Sequence, residues 1–288
     1  MDLVSQNLLM TSGGKKDSTY VDDVFSTYLY TGQSTTKTIT NGIDNLGEGG
    51  MLWVKNRDNA RGHQLYDTER LASGSNTTSD YSLTSNSSGA ARDMSPNGIV
   101  TWKNDGWSVL GGDGDINQNG FGDYASWNFR KSKGFFDIVQ YSGTGSNQTV
   151  NHNLGCVPGL IITKRTDSPG DWIVYHRSLG ATKAIRLDAA DGPGTGISRW
   201  NDTEPTATHF TLGTYTHHNA SGSTNIAYLF AGGASSAATA RSVDFIGGAG
   251  NYLNVQSTST DLEMGSSDFT LELWINSDGV TSANRNFL

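Results

Sequence analysis

The chain carries two copies of one sequence pattern, and this duplication limits its fold more than any other feature. Three segments return in the same order, residues 25–32, 50–55 and 117–120 as residues 136–143, 159–164 and 219–222. The distance between the copies falls slowly, from 111 to 109 to 102 residues. Repeats of solenoid proteins are only about 20 to 50 residues long. We therefore expect two tandem modules, each with its own hydrophobic core.

The composition predicts an all-β fold with many tight turns. The chain has 36 glycines and only 5 prolines among 288 residues, and its short apolar runs are interrupted by Gly, Asn or Asp. No long segment shows the apolar spacing of a helix. Short strands separated by turn residues are typical of β-sandwiches. We expect two β-sandwich-like modules, module 1 at residues 25–131 and module 2 at residues 132–232.

Equivalent strands can be placed in both modules. Continuous apolar runs at residues 51–54 and 160–163 predict strands that are buried on both faces. Each module closes with a hydrophobic strand, at residues 124–129 and 226–230. Residues 72–98 are rich in Ser, Asn and Gly and have little to bury, which predicts a long exposed loop.

The N-terminal segment, residues 1–24, matches nothing in module 2 and needs a separate explanation. It contains a cluster of apolar residues, Leu3, Val4, Leu8, Leu9 and Met10. Apolar side chains need a surface to cover them. Two interpretations remain open: the segment packs onto module 1, or it is a docking arm that attaches the chain to another protein.

The C-terminal region differs from both modules. Residues 233–240 form a linker of small residues. Residues 241–276 resemble the opening of a laminin-G-like, concanavalin A-like lectin domain, with an aromatic hairpin followed by an alternating strand at residues 268–275. Residues 241–288 are too few to close such a domain, so we expect an incomplete laminin-G-like segment here and a natural protein that continues further.

Several functional classes are excluded by charge and composition. The net charge is −8 and the basic residues are scattered, which argues against nucleic-acid binding. No apolar run approaches the length of a membrane span, so we expect no membrane insertion. Cys156 is the only cysteine, which rules out an intrachain disulfide. The first residues lack the pattern of a signal peptide, which predicts folding in a cytoplasm.

Both modules resemble an uncharacterised domain of large virion proteins from marine tailed phages, where it occurs singly and in tandem, often beside laminin-G-like domains. The resemblance rests on residues 20–30, 49–55, 124–131 and 172–180. It implies a virion location, commonly in a tail fibre or another appendage. It implies no known chemistry and assigns no functional residues.

The strongest local signal for a ligand is a calcium-like turn in module 1. Asp115, Asn117, Asn119 and Asp123 supply oxygen atoms at the spacing of a calcium loop. Ser126 stands where the bidentate glutamate belongs, and the equivalent turn of module 2 has no carboxylates. Asn-x-Asn-Gly is also an ordinary turn sequence. Calcium binding and a plain turn therefore remain alternatives, and we expect no other cofactor.

Candidates for catalysis are few. Three histidines, His209, His217 and His218, have no histidine counterparts in module 1 and are expected on the surface or in turns. Asp67 and Glu69 are the nearest candidates for a pair of glycosidase carboxylates. No nucleophile or metal-protease motif occurs. We expect no catalytic residues and no enzyme activity.

Four tryptophans, Trp102, Trp107, Trp172 and Trp200, are candidates for stacking on sugar rings. Core packing is the commoner use of such residues. With multivalency, weak glycan sites of this kind are able to hold a cell surface.

These observations predict a non-enzymatic virion protein, most simply a tail-fibre or appendage subunit. Its N-terminal region contacts other virion proteins, and its later domains project towards host surface glycans. The alternatives are a capsid-surface fibre or decoration protein, a carbohydrate-binding module and a polysaccharide depolymerase. Exposed sheet edges predict that the chain forms a homo-oligomer, most plausibly a cyclic trimer. Because no heptad pattern for a coiled coil occurs, the contacts between subunits are expected to come from the faces of the modules and from the N-terminal segment.

Overall fold

The computed structural model describes residues 20–233. The predicted docking residues Leu3, Val4, Leu8, Leu9 and Met10 lie outside the described residues. So do most of the predicted linker and the whole laminin-G-like segment. The names module 1 and module 2 are kept below for strands β1–β10 and β11–β18.

The described residues are mostly strand and turn. Module 1 contains β1 (Phe25–Thr31), β2 (Lys37–Thr40), β3 (Gly50–Asn56), β4 (Gln64–Asp67), β5 (Thr78–Ser79), β6 (Tyr81–Thr84), β7 (Arg92–Asp93), β8 (Ile99–Lys103), β9 (Gly106–Leu110) and β10 (Asp123–Arg130). Module 2 contains β11 (Phe136–Ser142), β12 (Gln148–Asn151), β13 (Pro158–Arg165), β14 (Ile173–His176), β15 (Lys183–Arg186), β16 (Gly194–Thr195), β17 (His209–Leu212) and β18 (Thr224–Ala231).

Helices contribute little. The short helices are α1 (Val21–Val24), α2 (Ile197–Trp200) and α3 (Thr216–Asn219). Within residues 20–233, no helix has the length and apolar character needed to span a membrane.

Each module has one large and one small antiparallel sheet. The large sheets have the strand orders β1-β10-β3-β4-β6-β7 and β11-β18-β13-β14-β15-β16. In both, the first strand pairs with the last, and the last pairs with the central apolar strand. The small sheets are β2-β9-β8-β5 in module 1 and β12-β17 in module 2. The repeated sequence therefore builds the same arrangement twice.

Side chains alternate between the two faces of each strand, and this alternation produces one hydrophobic core inside each module and a third core that the two modules share. In β3, Leu52 and Val54 face the small sheet of module 1, while Met51 points to the opposite face. Met51 packs there with Ile162 and Tyr228 of module 2. The large sheets thus meet face to face, and the small sheets cover their outer sides. The all-β, sandwich-like fold predicted from the sequence is confirmed.

The prediction of a long exposed loop at residues 72–98 is wrong. The segment contains β5, β6 and β7, and the side chains of Leu83 and Met94 are buried. Leu83 packs in the core that the two modules share. The composition misleads because only a few side chains of this segment are buried, while the carbonyls of Thr84, Ser87 and Ser88 accept hydrogen bonds from side chains of module 2.

Candidate functional site

The predicted calcium turn is held together by protein groups. Arg92 donates to the carboxylates of Asp113 and Asp115 at 2.7 and 2.8 Å. The Asp115 carboxylate also accepts from the Gln64 side chain at 3.0 Å and from the Gly62 amide at 3.2 Å. The Arg92 guanidinium therefore already neutralises the Asp113 and Asp115 carboxylates, whose oxygen atoms a calcium ion would need. In the described part of the chain, no cluster of His, Cys, Asp and Glu is arranged to hold a metal ion.

The other predicted calcium ligands point to different partners. The Asp123 carboxylate accepts from the hydroxyl of Thr31 at 2.7 Å. Asn117 is fully buried and donates to the carbonyls of Thr35 and Gly111 at 2.8 and 2.9 Å. Asn119 is exposed. The predicted set of Asp115, Asn117, Asn119 and Asp123 therefore does not form a metal site, and this prediction is wrong.

Asn117 instead has a structural role that is repeated in module 2. Its counterpart Asn219 is also buried and donates to the carbonyls of Ser146 and Gly213 at 2.7 and 2.6 Å. Each of these acceptors is the repeat equivalent of an acceptor of Asn117. The oxygen of Asn219 accepts from the amide of Thr144, as that of Asn117 accepts from Gln33. The duplication was the signal that identified this asparagine, because Asn117 recurs unchanged as Asn219, whereas Asp115 and Asn119 fall opposite His217 and Ser221.

The predicted glycan-stacking tryptophans are all in cores. Trp102, Trp107, Trp172 and Trp200 are at most 2% exposed. Trp102 and Trp107 lie in the core of module 1, Trp200 in that of module 2, and Trp172 in the shared core. A ring must be exposed to stack on a sugar, so the prediction is wrong for these four residues.

The histidines do not form a site, and one of them is not at the surface. His218 is fully buried, and its Nδ1 lies 3.0 Å from the Thr163 hydroxyl. Burial lowers the pKa of His218 to about 3, so the ring is neutral at pH 7. His217 is partly exposed and lies 3.0 Å from the Asp171 carboxylate. The prediction of surface or turn positions is therefore wrong for His218.

The two candidate carboxylates each have a cationic partner. Glu69 pairs with Lys131 at 2.7 Å. Asp67 is fully buried, accepts from Arg70 at 2.7 Å and accepts from the hydroxyl of Tyr228 at 2.6 Å. Burial and the Asp67 charge raise the pKa of Tyr228 well above its ordinary value. The Asp67–Arg70–Tyr228 network therefore joins the two modules with an ion pair inside the shared core.

A second polar connection joins the modules, and the sequence analysis missed it. Residues 84–91 of module 1, called the clasp segment below, run across module 2. Trp172 donates its Nε1 to the carbonyls of Thr84 and Ser87 at 3.0 and 3.1 Å. The Ser88 carbonyl accepts from the Lys164 ammonium at 3.1 Å and from the Gly170 amide at 2.8 Å.

Lys164 is the unusual member of this connection. Its side chain is fully buried, and its ammonium also donates to the Gly170 carbonyl at 2.7 Å. Burial lowers the pKa of Lys164 to about 8, although Asp188 and Asp171 oppose the shift. Sequence signals for the clasp segment exist. Asn117 follows Tyr66 by 51 residues, while Asn219 follows Tyr175 by 44, so module 1 has a longer segment in this region.

The chain belongs to the family described as Domain of unknown function (DUF7483), which matches residues 20–238. The matched range includes both modules, so a single domain of this family comprises the repeated pair. Comparison with curated proteins and with solved structures finds no significant match.

Proposed function

We propose that this chain is a non-enzymatic structural subunit of a bacteriophage virion, in a tail fibre or another appendage. The subunit is attached at the end that carries its N-terminal region, and later domains project towards the host surface. The virion location comes from the sequence resemblance of both modules to domains of phage virion proteins. A capsid-surface fibre or decoration protein is the second location that this resemblance allows.

The observation that carries a structural role is the way the two modules are joined. Their large sheets share a hydrophobic core that includes Leu65, Phe136 and Ile226. The Asp67–Arg70–Tyr228 network and the clasp segment add polar contacts around this core. Polar groups in a shared core fix the relative orientation of two sheets, because each must keep its partner when buried. A fixed orientation suits a subunit that transmits position along an appendage.

The same contacts favour a structural role over a depolymerase or a sugar-binding module. Asp67 and Glu69 are neutralised by Arg70 and Lys131. The four tryptophans that the sequence suggested for sugar stacking are buried. A role in host adhesion is therefore assigned to domains beyond the repeated pair.

The proposal is tested on purified particles of the phage that encodes the chain. Antibodies raised against residues 20–233 are expected to label intact particles in electron micrographs, at the tail or its appendages. Label on the capsid would favour the alternative location. The absence of the protein from purified particles, established by mass spectrometry, would contradict a virion role.

A further inference from the structure

Strand β1 is an edge of the large sheet of module 1 in the part of the chain that the structure describes. Just beyond its end, the Gly32 amide donates to the Gly122 carbonyl of the β10 side at 3.2 Å. Bonded residues alternate along an antiparallel ladder. The backbone groups of Tyr28 therefore point to β10, while those of Thr27 and Leu29 point away from the sheet. These outward groups are placed to receive a further strand.

β1 lacks the features that normally protect an edge strand, which are charge, shortness and cover. Among the edge strands of the described sheets, only β1 and β11 are longer than four residues. β11 contains Asp137 and buries it together with Phe136 and Ile138. β1 contains no charged residue, and its residues 27–29 are exposed. Of the two long edges, only β1 is both uncharged and open to solvent at its centre.

The exposed side chains of β1 are apolar on both faces of the sheet. Tyr28 lies on the same face as Tyr30, which packs in the core of module 1, and it is 39% exposed. Leu29 lies on the opposite face and is 61% exposed. Its repeat equivalent in β11 is the polar Gln140. A strand added to this edge covers part of Tyr28 on one face and part of Leu29 on the other, which the polar edge of module 2 does not offer.

The charges at the two ends of β1 indicate that the added strand is β1 of a second copy. The N-terminal end is acidic, because Asp22 is exposed in the helix α1 that leads into the strand. The C-terminal end is basic, because the Lys37 ammonium donates to the Gln33 side chain at 3.3 Å and lies 5.7 Å from the centre of the Tyr30 ring. An antiparallel second copy places the acidic end of each strand beside the basic end of the other.

We propose that two copies of the chain pair through β1 about a two-fold axis at Tyr28 and join their large sheets into one. Tyr28 is the middle residue of Phe25–Thr31, so this alignment uses the whole strand. Thr27 exchanges backbone hydrogen bonds with Leu29 of the partner subunit, and the two Tyr28 residues face each other as a non-bonded pair. This inference does not depend on the proposed virion role.

Cysteine cross-linking of the full-length chain tests the pairing and its alignment. In a Cys156→Ser background, Tyr28→Cys is expected to form an intermolecular disulfide under mild oxidation. The reason is that Cβ atoms of directly opposed residues lie only about 4.5 to 5.5 Å apart. Thr31→Cys is the control on the same exposed edge. The alignment separates the two Thr31 residues by roughly 20 Å along the strands, so no disulfide is expected there.

Light scattering over a range of concentrations tests the association itself. The native full-length chain is expected to be a dimer that dissociates on dilution. Leu29→Lys is expected to raise the dissociation constant about tenfold or more, because it places a charge from each copy in the paired edge. Gln140→Lys makes the same change at the equivalent position of β11 and is expected to leave the dissociation constant unchanged.

A native chain that stays monomeric at micromolar concentration would overturn the proposal, since it would show that no second copy occupies the edge. Equal dissociation constants for the Leu29→Lys and Gln140→Lys variants would overturn it as well. An oligomer in which Thr31→Cys cross-links and Tyr28→Cys does not would contradict the two-fold alignment.

Discussion

At the scale of single residues, Asp67 shows how buried polar groups connect the modules. Its carboxylate lies in the shared core between Arg70 and the Tyr228 hydroxyl, and all three side chains are buried. Removing one member of a buried ion pair leaves the other charge uncompensated, which costs more than the pair itself contributes.

Asp67→Asn is therefore expected to lower the free energy of unfolding by about 3 to 5 kcal/mol. Tyr228→Phe removes one hydrogen bond to a charged group and leaves the ion pair intact, so a smaller loss of about 1.5 to 3 kcal/mol is expected. Urea denaturation of the purified chain measures both effects. Equal losses for the two variants would show that the ion pair is not buried as described.

Lys164 makes the stability of the protein depend on pH. Its pKa is about 8 in the folded chain and has its ordinary value of 10.5 in the unfolded chain. Between these values the unfolded state binds more protons, so the free energy of unfolding rises with pH from about 8 to 10.5. Lys164→Met is expected to remove this contribution to the rise of the free energy of unfolding with pH. Denaturation at a series of pH values measures it, and an unchanged slope in the variant would contradict the account.

At the scale of elements, the repeated asparagine turn holds the end of each module. Asn117→Ala and Asn219→Ala each leave buried carbonyls without a donor, which costs about 1 to 3 kcal/mol for each group. Asn119→Ala changes an exposed side chain of the same turn and is expected to alter stability by less than about 0.5 kcal/mol. Thermal unfolding in calcium and in chelator compares the variants. Stabilisation by calcium that Asn119→Ala removes would restore the metal interpretation.

Local sequence predicts the strands well and the contacts between modules poorly. The apolar runs that predict central strands fall within β3 and β13, because alternation and burial are encoded in neighbouring residues. The clasp segment is not predicted, since its composition is that of a loop and its partners are about 80 residues away. Exposure of aromatic residues is likewise decided by packing between sheets, which explains the wrong prediction for the four tryptophans.

In the candidate calcium turn, too, local sequence predicts some features and fails for contacts between distant residues. The duplication separates Asn117, which recurs as Asn219, from Asp115 and Asn119, which fall opposite His217 and Ser221. That comparison predicts a structural asparagine more reliably than the spacing predicts a calcium loop. The partner of Asp115, Arg92, lies 23 residues earlier and has no spacing rule that would identify it.

At the scale of the whole molecule, the repeated pair is one structural unit. The described residues, 20–233, fall within a single compact unit, and one family domain covers residues 20–238. Neither module can expose its large sheet to water without uncovering residues such as Met51 and Ile162. We therefore expect the two modules to unfold together, which is the property that a rigid appendage subunit requires.

Hydrogen exchange in increasing concentrations of urea, measured on the full-length chain by mass spectrometry, tests this cooperativity most directly. The amides of β3 and β13 report on the centres of module 1 and module 2. One shared unfolding midpoint for both strands is predicted, because the shared core links their stabilities. Two separate midpoints, with one module protected after the other has exchanged, would contradict the account.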